Sequence, residues 1–180
     1  MNFTAPIFQP IQFVPASKKP EILELPVLHI SAVAHARLES GGNHWTFYMT
    51  VSSTESIQVD MTPSYTVPST ITSGGSKGNL VVSQLTYKFS PDSTKIVRLD
   101  VRDGLTVKHF VELLESEKRH LFEFNELGQG CRFWVDDQLT LFSEKGLLTN
   151  QNQVEEARAS ILTQYPDEKQ YPLVVGSYYG

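Results

Sequence analysis

The chain has 180 residues but a single cysteine, Cys131, and it has no long apolar run. One cysteine excludes an internal disulfide, which is typical of proteins that fold in a reducing compartment, so we expect a cytoplasmic protein. No segment approaches the roughly 20 apolar residues that a membrane-spanning helix needs. Residues 1–20 contain no basic segment followed by an apolar stretch, so they do not have the pattern of a secretory signal.

Clusters of positive charge are also scarce. The formal net charge is −5, and the only adjacent basic pairs are Lys18-Lys19 and Lys118-Arg119. Nucleic acid is not expected as a partner, because a surface that follows phosphates needs clustered Lys and Arg. The spacings His-x-x-x-His and Cys-x-x-Cys do not occur, and neither does the phosphate-binding pattern Gly-x-x-x-x-Gly-Lys-Ser/Thr. We therefore predict no metal ion and no cofactor.

Apolar residues make up 40% of the chain, which is enough for the core of one ordinary domain. We predict a single α+β domain over residues 27–180. Residues 1–26 have prolines at nearly even spacing, which indicates an extended arm. The arm carries too many apolar residues for a disordered tail, so we expect it to pack on the domain.

The alternation of apolar and polar residues changes to helical spacing after about residue 104. The period of two predicts an antiparallel sheet of about five strands, with strands at residues 27–37, 44–51, 56–61, 80–89 and 95–101. Spacings of three and four predict two to three helices, at residues 106–117, from residue 131, and at 153–164. Residues 62–79 contain two prolines and a glycine–serine run, which favours a loop, either a lid or a mobile loop, and the sequence leaves open whether it closes over a ligand.

Cys131 follows the turn Gly128-Gln129-Gly130 and begins a predicted helix. The N–H groups and the positive dipole end of a helix N-terminus lower the pKa of a thiol and make it more reactive. A second interpretation is equally open. Cys131 shares an apolar helical stripe with Val135, Leu139 and Phe142, and free cysteine is among the most buried residue types. It is either a nucleophile or an inert core residue.

A cysteine nucleophile needs a base, and the base usually needs a polar neighbour to orient its ring. His44 begins the second predicted strand, and Asp60 lies on the polar face of the next one. If a four-residue turn joins these strands, residues whose numbers sum to about 107 face each other. That register places His44 near Pro63 and diagonal to the end of the strand of Asp60. Gln58 is a more remote orienting group, and His35 is a reserve candidate for the base.

Four aromatic residues near these positions are candidates to line a substrate pocket: Trp45, Tyr48, Phe133 and Trp134. Aromatic residues at such periodic positions are more often part of the core.

The order of these elements resembles circularly permuted papain-like proteins, which include NlpC-type, lecithin retinol acyltransferase-like and PPPDE-type families. In them a histidine at a strand start precedes a cysteine at a helix N-terminus. The segment His44-Trp45-Thr46-Phe47-Tyr48-Met49 is similar to their histidine strand. Their cysteine segment is similar to Phe124-Asn125-Glu126-Leu127 followed by Gly130-Cys131-Arg132-Phe133-Trp134, although glycine replaces the usual asparagine before the cysteine. The combination of Val59-Asp60-Met61-Thr62-Pro63 with this cysteine segment also resembles an uncharacterised fungal domain family.

The resemblance implies a permuted papain-like fold and a cysteine-dependent hydrolase or acyl transferase that acts on a small amide or ester. Cys131 would attack the acyl carbonyl, and His44, oriented by Asp60, would act as base and then as acid. The alternative is a protein on the same scaffold that binds or cyclises an apolar small molecule without hydrolysis, or an inactive interaction module. The expected partner is a small molecule or acyl substrate.

Overall fold

The computed structural model describes residues 1, 4 and 6–180. In chain order its elements are β1 (Ile11–Val14), α1 (Lys19–Glu24), β2 (His29–Arg37), β3 (Asn43–Thr50), β4 (Ser56–Pro68), β5 (Ser76–Leu85), β6 (Lys95–Asp100), α2 (Val107–Ser116), β7 (Phe122–Phe124), α3 (Cys131–Glu144), α4 (Gln151–Ile161), β8 (Thr163–Gln164), β9 (Lys169–Gln170) and β10 (Ser177–Tyr178).

A large sheet has the strand order β10-β7-β5-β4-β3-β2-β6, and β1 adds to it by pairing with β5. Each pair is antiparallel except β1 with β5, which is parallel. Strands β8 and β9 form a separate hairpin. The α+β class is confirmed, but the sheet has eight strands rather than about five, and four α-helices replace the two to three expected.

Strands β3 and β4 form the predicted hairpin, and it divides apolar from polar side chains. Trp45, Phe47 and Met49 are fully buried on the face that packs against α3. His44 projects from the opposite face, as the period of two requires. Phe47 pairs with Val59, so facing residues sum to 106 rather than 107. The predicted register was therefore wrong by one residue.

The prediction of a loop over residues 62–79 was wrong for most of that range. Strand β4 continues to Pro68 and β5 begins at Ser76, which leaves residues 69–75 as the connection. Proline has no N–H for a sheet ladder and is tolerated at bulges. Here the pairing of β4 with β5 shifts register between Pro63 and Pro68, so the two prolines flank an irregularity within a strand.

The proline-rich segment is only partly extended. Strand β1 lies beside β5 as an extended arm would, but α1 is a helix with Pro20 in its first turn. The missing N–H of proline removes no intrahelical hydrogen bond at that position, so the proline does not prevent a helix. Residues 2, 3 and 5 of the predicted arm lie outside the described residues.

The helices pack on the apolar face of the sheet. This packing holds the start of α3 at one end of the sheet. Phe47 of β3 contacts Trp134 and Phe142 of α3, with ring centroids 6.2 and 5.7 Å apart. Thr106 is the N-cap of helix α2 and forms a capping box with His109. Helix α4 begins two residues before the predicted start, and the side chain of Asn150 caps it. None of the described helices is long and apolar enough to cross a membrane.

Candidate active site

Cys131 is the first residue of α3, and its thiol lies at the helix N-terminus. The preceding N-cap is Gly130, and no side chain of the described residues caps the helix. The first intrahelical bond runs from the N–H of Trp134 to the carbonyl of Gly130. The N–H groups of the first helical turn therefore point toward the thiol end of the helix, where they favour negative charge.

The turn before Cys131 is organised by Asn125. Its Oδ1 accepts hydrogen bonds from the N–H groups of Leu127, at 3.0 Å, and Gln129, at 2.9 Å. Its own N–H donates to the carbonyl of Gln129 at 3.2 Å. These bonds close a compact turn that ends at Gly130. Gly130 has φ +149°, a backbone conformation that is accessible mainly to glycine. The entry into α3 is thereby fixed.

His44 and Asp60 form a hydrogen-bonded pair on adjacent strands. Nε2 of His44 donates to Oδ1 of Asp60 at 2.7 Å, and each side chain is 24% exposed. Asp60 reaches His44 diagonally across the hairpin, as the predicted geometry required. Because Nε2 is bound to the carboxylate, Nδ1 is the ring nitrogen left to face a thiol.

The two ionisable groups at the site stabilise each other's charged forms. Burial disfavours the Cys131 thiolate, but the positive charge of His44, a hydrogen bond with its ring and a backbone hydrogen bond from Trp45 together lower the pKa of Cys131. Burial likewise disfavours the His44 imidazolium, but the charge of Cys131 and the hydrogen bond to Asp60 raise the pKa of His44 well above its ordinary value. The arrangement favours a thiolate–imidazolium pair.

A cleft of about 450 Å³ opens onto both Cys131 and His44. Its other walls come from three segments: the β2–β3 turn with Leu38, Glu39 and Ser40, strand β4 with Thr62, Pro63 and Tyr65, and the turn before α3 with Leu127 and Gly128. Cys131 itself is only 6% exposed. The cleft gives a small molecule a path to a thiol that is otherwise enclosed.

A family model described as a domain of unknown function, DUF7770, matches residues 30–179. The chain belongs to the DUF7770 family. No curated protein and no solved structure matches it. The region matched to DUF7770 contains the whole of the cleft together with Cys131, His44 and Asp60, and it leaves out β1 and α1.

Two other polar candidates in the DUF7770 domain are hydrogen-bonded to groups other than His44 and Cys131, although the His35 ring lies 5.9 Å from the His44 ring. His35 binds Asp92 through Nδ1 at 2.9 Å and Thr46 Oγ1 through Nε2 at 3.0 Å, so both ring nitrogens are occupied. Gln58 donates to the hydroxyl groups of Tyr48, at 3.2 Å, and Thr46, at 3.4 Å, rather than to His44. In the part of the chain that the structure describes, no group of three His, Cys, Asp or Glu residues is arranged to hold a metal ion.

The positions of the four aromatic candidates correct the prediction that they bind substrate. Trp45 and Trp134 are fully buried in the core, and Trp134 donates its indole N–H to the carbonyl of Arg119. Tyr48 is 1% exposed beneath Phe89, with ring centroids 6.0 Å apart. Phe133 stacks on Phe122. They stabilise the fold of the DUF7770 domain, and the apolar pocket expected from them does not form.

Arg132 was missed by the sequence analysis, although it adjoins Cys131. Its guanidinium is buried and donates to the carbonyls of Ile161 and Pro172, each at 2.9 Å, and of Tyr171. The Tyr171 hydroxyl in turn donates to the carbonyl of Ser40 at 3.0 Å, on the β2–β3 turn. Arg132 therefore joins α3 to one wall of the cleft. Its partners lie 29 to 40 residues further along the chain, which no local pattern indicates.

Proposed function

We propose that the chain is a cysteine-dependent hydrolase or acyl transferase that acts on a small amide or ester, and that its fold is a permuted papain-like arrangement. The observation that carries the proposal is the hydrogen bond from His44 to Asp60 beside a cleft that both His44 and Cys131 line. A nucleophile, a base that holds it as a thiolate and a carboxylate that orients the base are the parts that acyl transfer needs.

Each step of acyl transfer has a group suited to it. The Cys131 sulfur attacks the acyl carbonyl carbon, and the carbonyl oxygen gains negative charge. Backbone N–H groups at the start of α3 stabilise that charge. His44 then gives its proton to the leaving nitrogen or oxygen, and the bond from carbon to the leaving group breaks. Water or an amine then attacks the resulting thioester, and His44 removes a proton from the attacking molecule. Cys131 departs as a thiolate.

The competing interpretation, an inert core cysteine, explains only part of the environment. It accounts for the 6% exposure of Cys131 and for the apolar stripe along α3. It does not require a histidine–carboxylate pair, a lowered thiol pKa or a cleft that both Cys131 and His44 line. Buried structural cysteines in apolar surroundings have raised pKa values, and the direction here is the opposite.

The test is the rate of Cys131 alkylation by iodoacetamide as a function of pH. In the native protein the rate should rise through an apparent pKa below the ordinary thiol value of about 8.5. His44→Ala removes the positive charge, so the apparent pKa should increase and the rate at pH 7 should fall by about tenfold for each pKa unit. His29→Ala is the control, since His29 binds Thr50 on a distant part of the sheet. A thiol that reacts only after unfolding would exclude the proposed function.

A further inference from the structure

Three large apolar side chains surround the mouth of the cleft although they are exposed to solvent. Tyr65 is 72% exposed, Leu127 is 62% exposed and Leu38 is 40% exposed. They come from three separate segments of the chain, namely β4, the turn before α3 and the β2–β3 turn. Single exposed apolar residues are common on protein surfaces, but several around one cleft are typical of a ligand-binding site.

The backbone at Tyr65 is held in an unfavourable conformation that aims its ring at the cleft. Its φ is +57°, which is uncommon for an aromatic residue and costs about 1–2 kcal/mol. The conformation is fixed by a hydrogen bond from the Tyr65 N–H to Ser76 Oγ at 3.1 Å. Strain of this kind persists where the surrounding structure imposes it, and it is concentrated at functional sites.

The Tyr65 hydroxyl reaches across to Gly128, on the opposite side of the cleft. A Cβ atom added to Gly128 would lie 2.3 Å from that hydroxyl, so the ring in this position packs directly over the glycine. Tyr65 therefore links strand β4 to the turn that delivers Cys131. The carboxylate of Glu39 is the other charged group on the cleft wall besides His44, so the wall provides no Lys or Arg side chain for an anionic ligand.

We infer that Tyr65, Leu38 and Leu127 form a subsite for a neutral, apolar acyl group, and that Tyr65 is its specificity-determining residue. This inference rests on the proposed function. The apolar part of the substrate covers the three exposed side chains and brings its carbonyl carbon to the Cys131 sulfur. The carbon–sulfur bond forms as the bond to the leaving oxygen or nitrogen breaks.

The experiment compares p-nitrophenyl hexanoate with p-nitrophenyl acetate, which share a leaving group and differ in the acyl chain. Nitrophenolate release gives the rate of acylation, mass spectrometry locates the acyl group on Cys131, and reaction with free N-acetylcysteine corrects for intrinsic reactivity. In the native protein the corrected rate should be about tenfold or more higher for hexanoate, because an apolar subsite discriminates by this order for added methylene groups.

Tyr65→Gly removes the ring and accommodates the positive φ, so it should bring the corrected ratio of hexanoate to acetate close to one. Leu127→Ser should lower the ratio as a second, independent change in an exposed turn. Tyr65→Phe should keep it. Tyr87→Ala is the matched control, since Tyr87 is an exposed aromatic residue outside the cleft. Both esters acylate the same thiol, so their ratio cancels any change in the reactivity of Cys131 that a variant introduces. The rate of iodoacetamide alkylation of Tyr87→Ala should match that of the native protein.

The possible outcomes separate the two proposals. If native Cys131 is neither alkylated nor acylated, the proposed function and the subsite both fail. If Cys131 reacts quickly but the native protein shows no preference for hexanoate, the subsite is refuted and the proposed function remains. The same conclusion follows if Tyr65→Gly and Leu127→Ser leave the preference unchanged while iodoacetamide reactivity is intact.

Discussion

The residue before the nucleophile provides a sharp test of how the site is built. Gly130 has φ +149°, and an added Cβ would lie 3.1 Å from Cε1 of Phe122 and 3.2 Å from Cδ1 of Phe124. Both rings are fully buried and contact each other edge to face, so neither has space to move away. Gly130→Ala should therefore combine backbone strain with overpacking, for a total loss of about 2–5 kcal/mol in the free energy of unfolding.

Thermal unfolding followed by circular dichroism measures the loss. For a domain of this size, 1 kcal/mol corresponds to about 2–4 °C in Tm, so Gly130→Ala should lower Tm by roughly 5–20 °C. Gly104→Ala is the matched control. Gly104 also has positive φ, +80°, but no atom lies within 4 Å of an added Cβ. Its cost is backbone strain alone, about 1–2 kcal/mol or roughly 2–8 °C.

Comparing the loss of Tm in the two variants tests whether the turn before Cys131 is rigid. If Gly130→Ala lowers Tm no more than Gly104→Ala, the start of α3 shifts without cost and the turn before Cys131 is not rigid. The account of a fixed thiol position would then be wrong. If Gly130→Ala is the more destabilised variant, the aromatic pair of β7 determines where α3 begins.

Two further changes examine the pair beside the thiol and one wall of the cleft. Asp60→Asn removes the carboxylate that raises the pKa of His44, so the imidazolium should lose its proton at lower pH in an NMR titration. Asp92→Asn should leave the titration of His44 unchanged, and equal shifts in both variants would contradict the pairing. Asn43→Ala leaves three backbone groups without their hydrogen-bond partner. The free energy of unfolding, measured by urea denaturation, should therefore fall by about 3 kcal/mol. The half-buried Asn79 takes part in one side-chain hydrogen bond, with Gln12 at 3.4 Å, so Asn79→Ala should stay within about 0.5 kcal/mol of the native protein. Similar losses for both asparagines would show that the three backbone partners of Asn43 contribute nothing.

The sequence is informative about this site where the relevant interactions are local. The alternation in β3 and β4 places His44 and Asp60 on one face, because strand periodicity is a property of successive residues. The capping box at Thr106 and the helix start at Cys131 are local in the same sense. The error of one residue in the predicted register changes every facing pair of the hairpin, but His44 still reaches Asp60 diagonally.

The walls of the cleft depend on contacts that the sequence does not indicate. Pro63 and Pro68 suggest a loop, yet they flank a bulge whose strain is offset by pairing with β5, and that bulge presents Tyr65. The bond from Arg132 to Tyr171 spans 39 residues. Nearness in sequence to His44 and Cys131 makes aromatic residues of β3 and α3 candidates for a pocket, but packing against the sheet buries Trp45 and Trp134, as their periodic spacing favours. Long-range packing decides which residues face the ligand.

The glycine before the nucleophile also changes how its likeness to the permuted papain-like pattern is interpreted. An asparagine at position 130 would place its side chain against Phe122 and Phe124, in a backbone conformation that favours glycine. The polar role in this turn is taken by Asn125, whose Oδ1 accepts from two N–H groups of the same turn. The departure from the pattern therefore lies in which residue stabilises the turn. It leaves the position of Cys131 at the start of α3 intact, and with it the interaction with His44 on which the proposed chemistry depends.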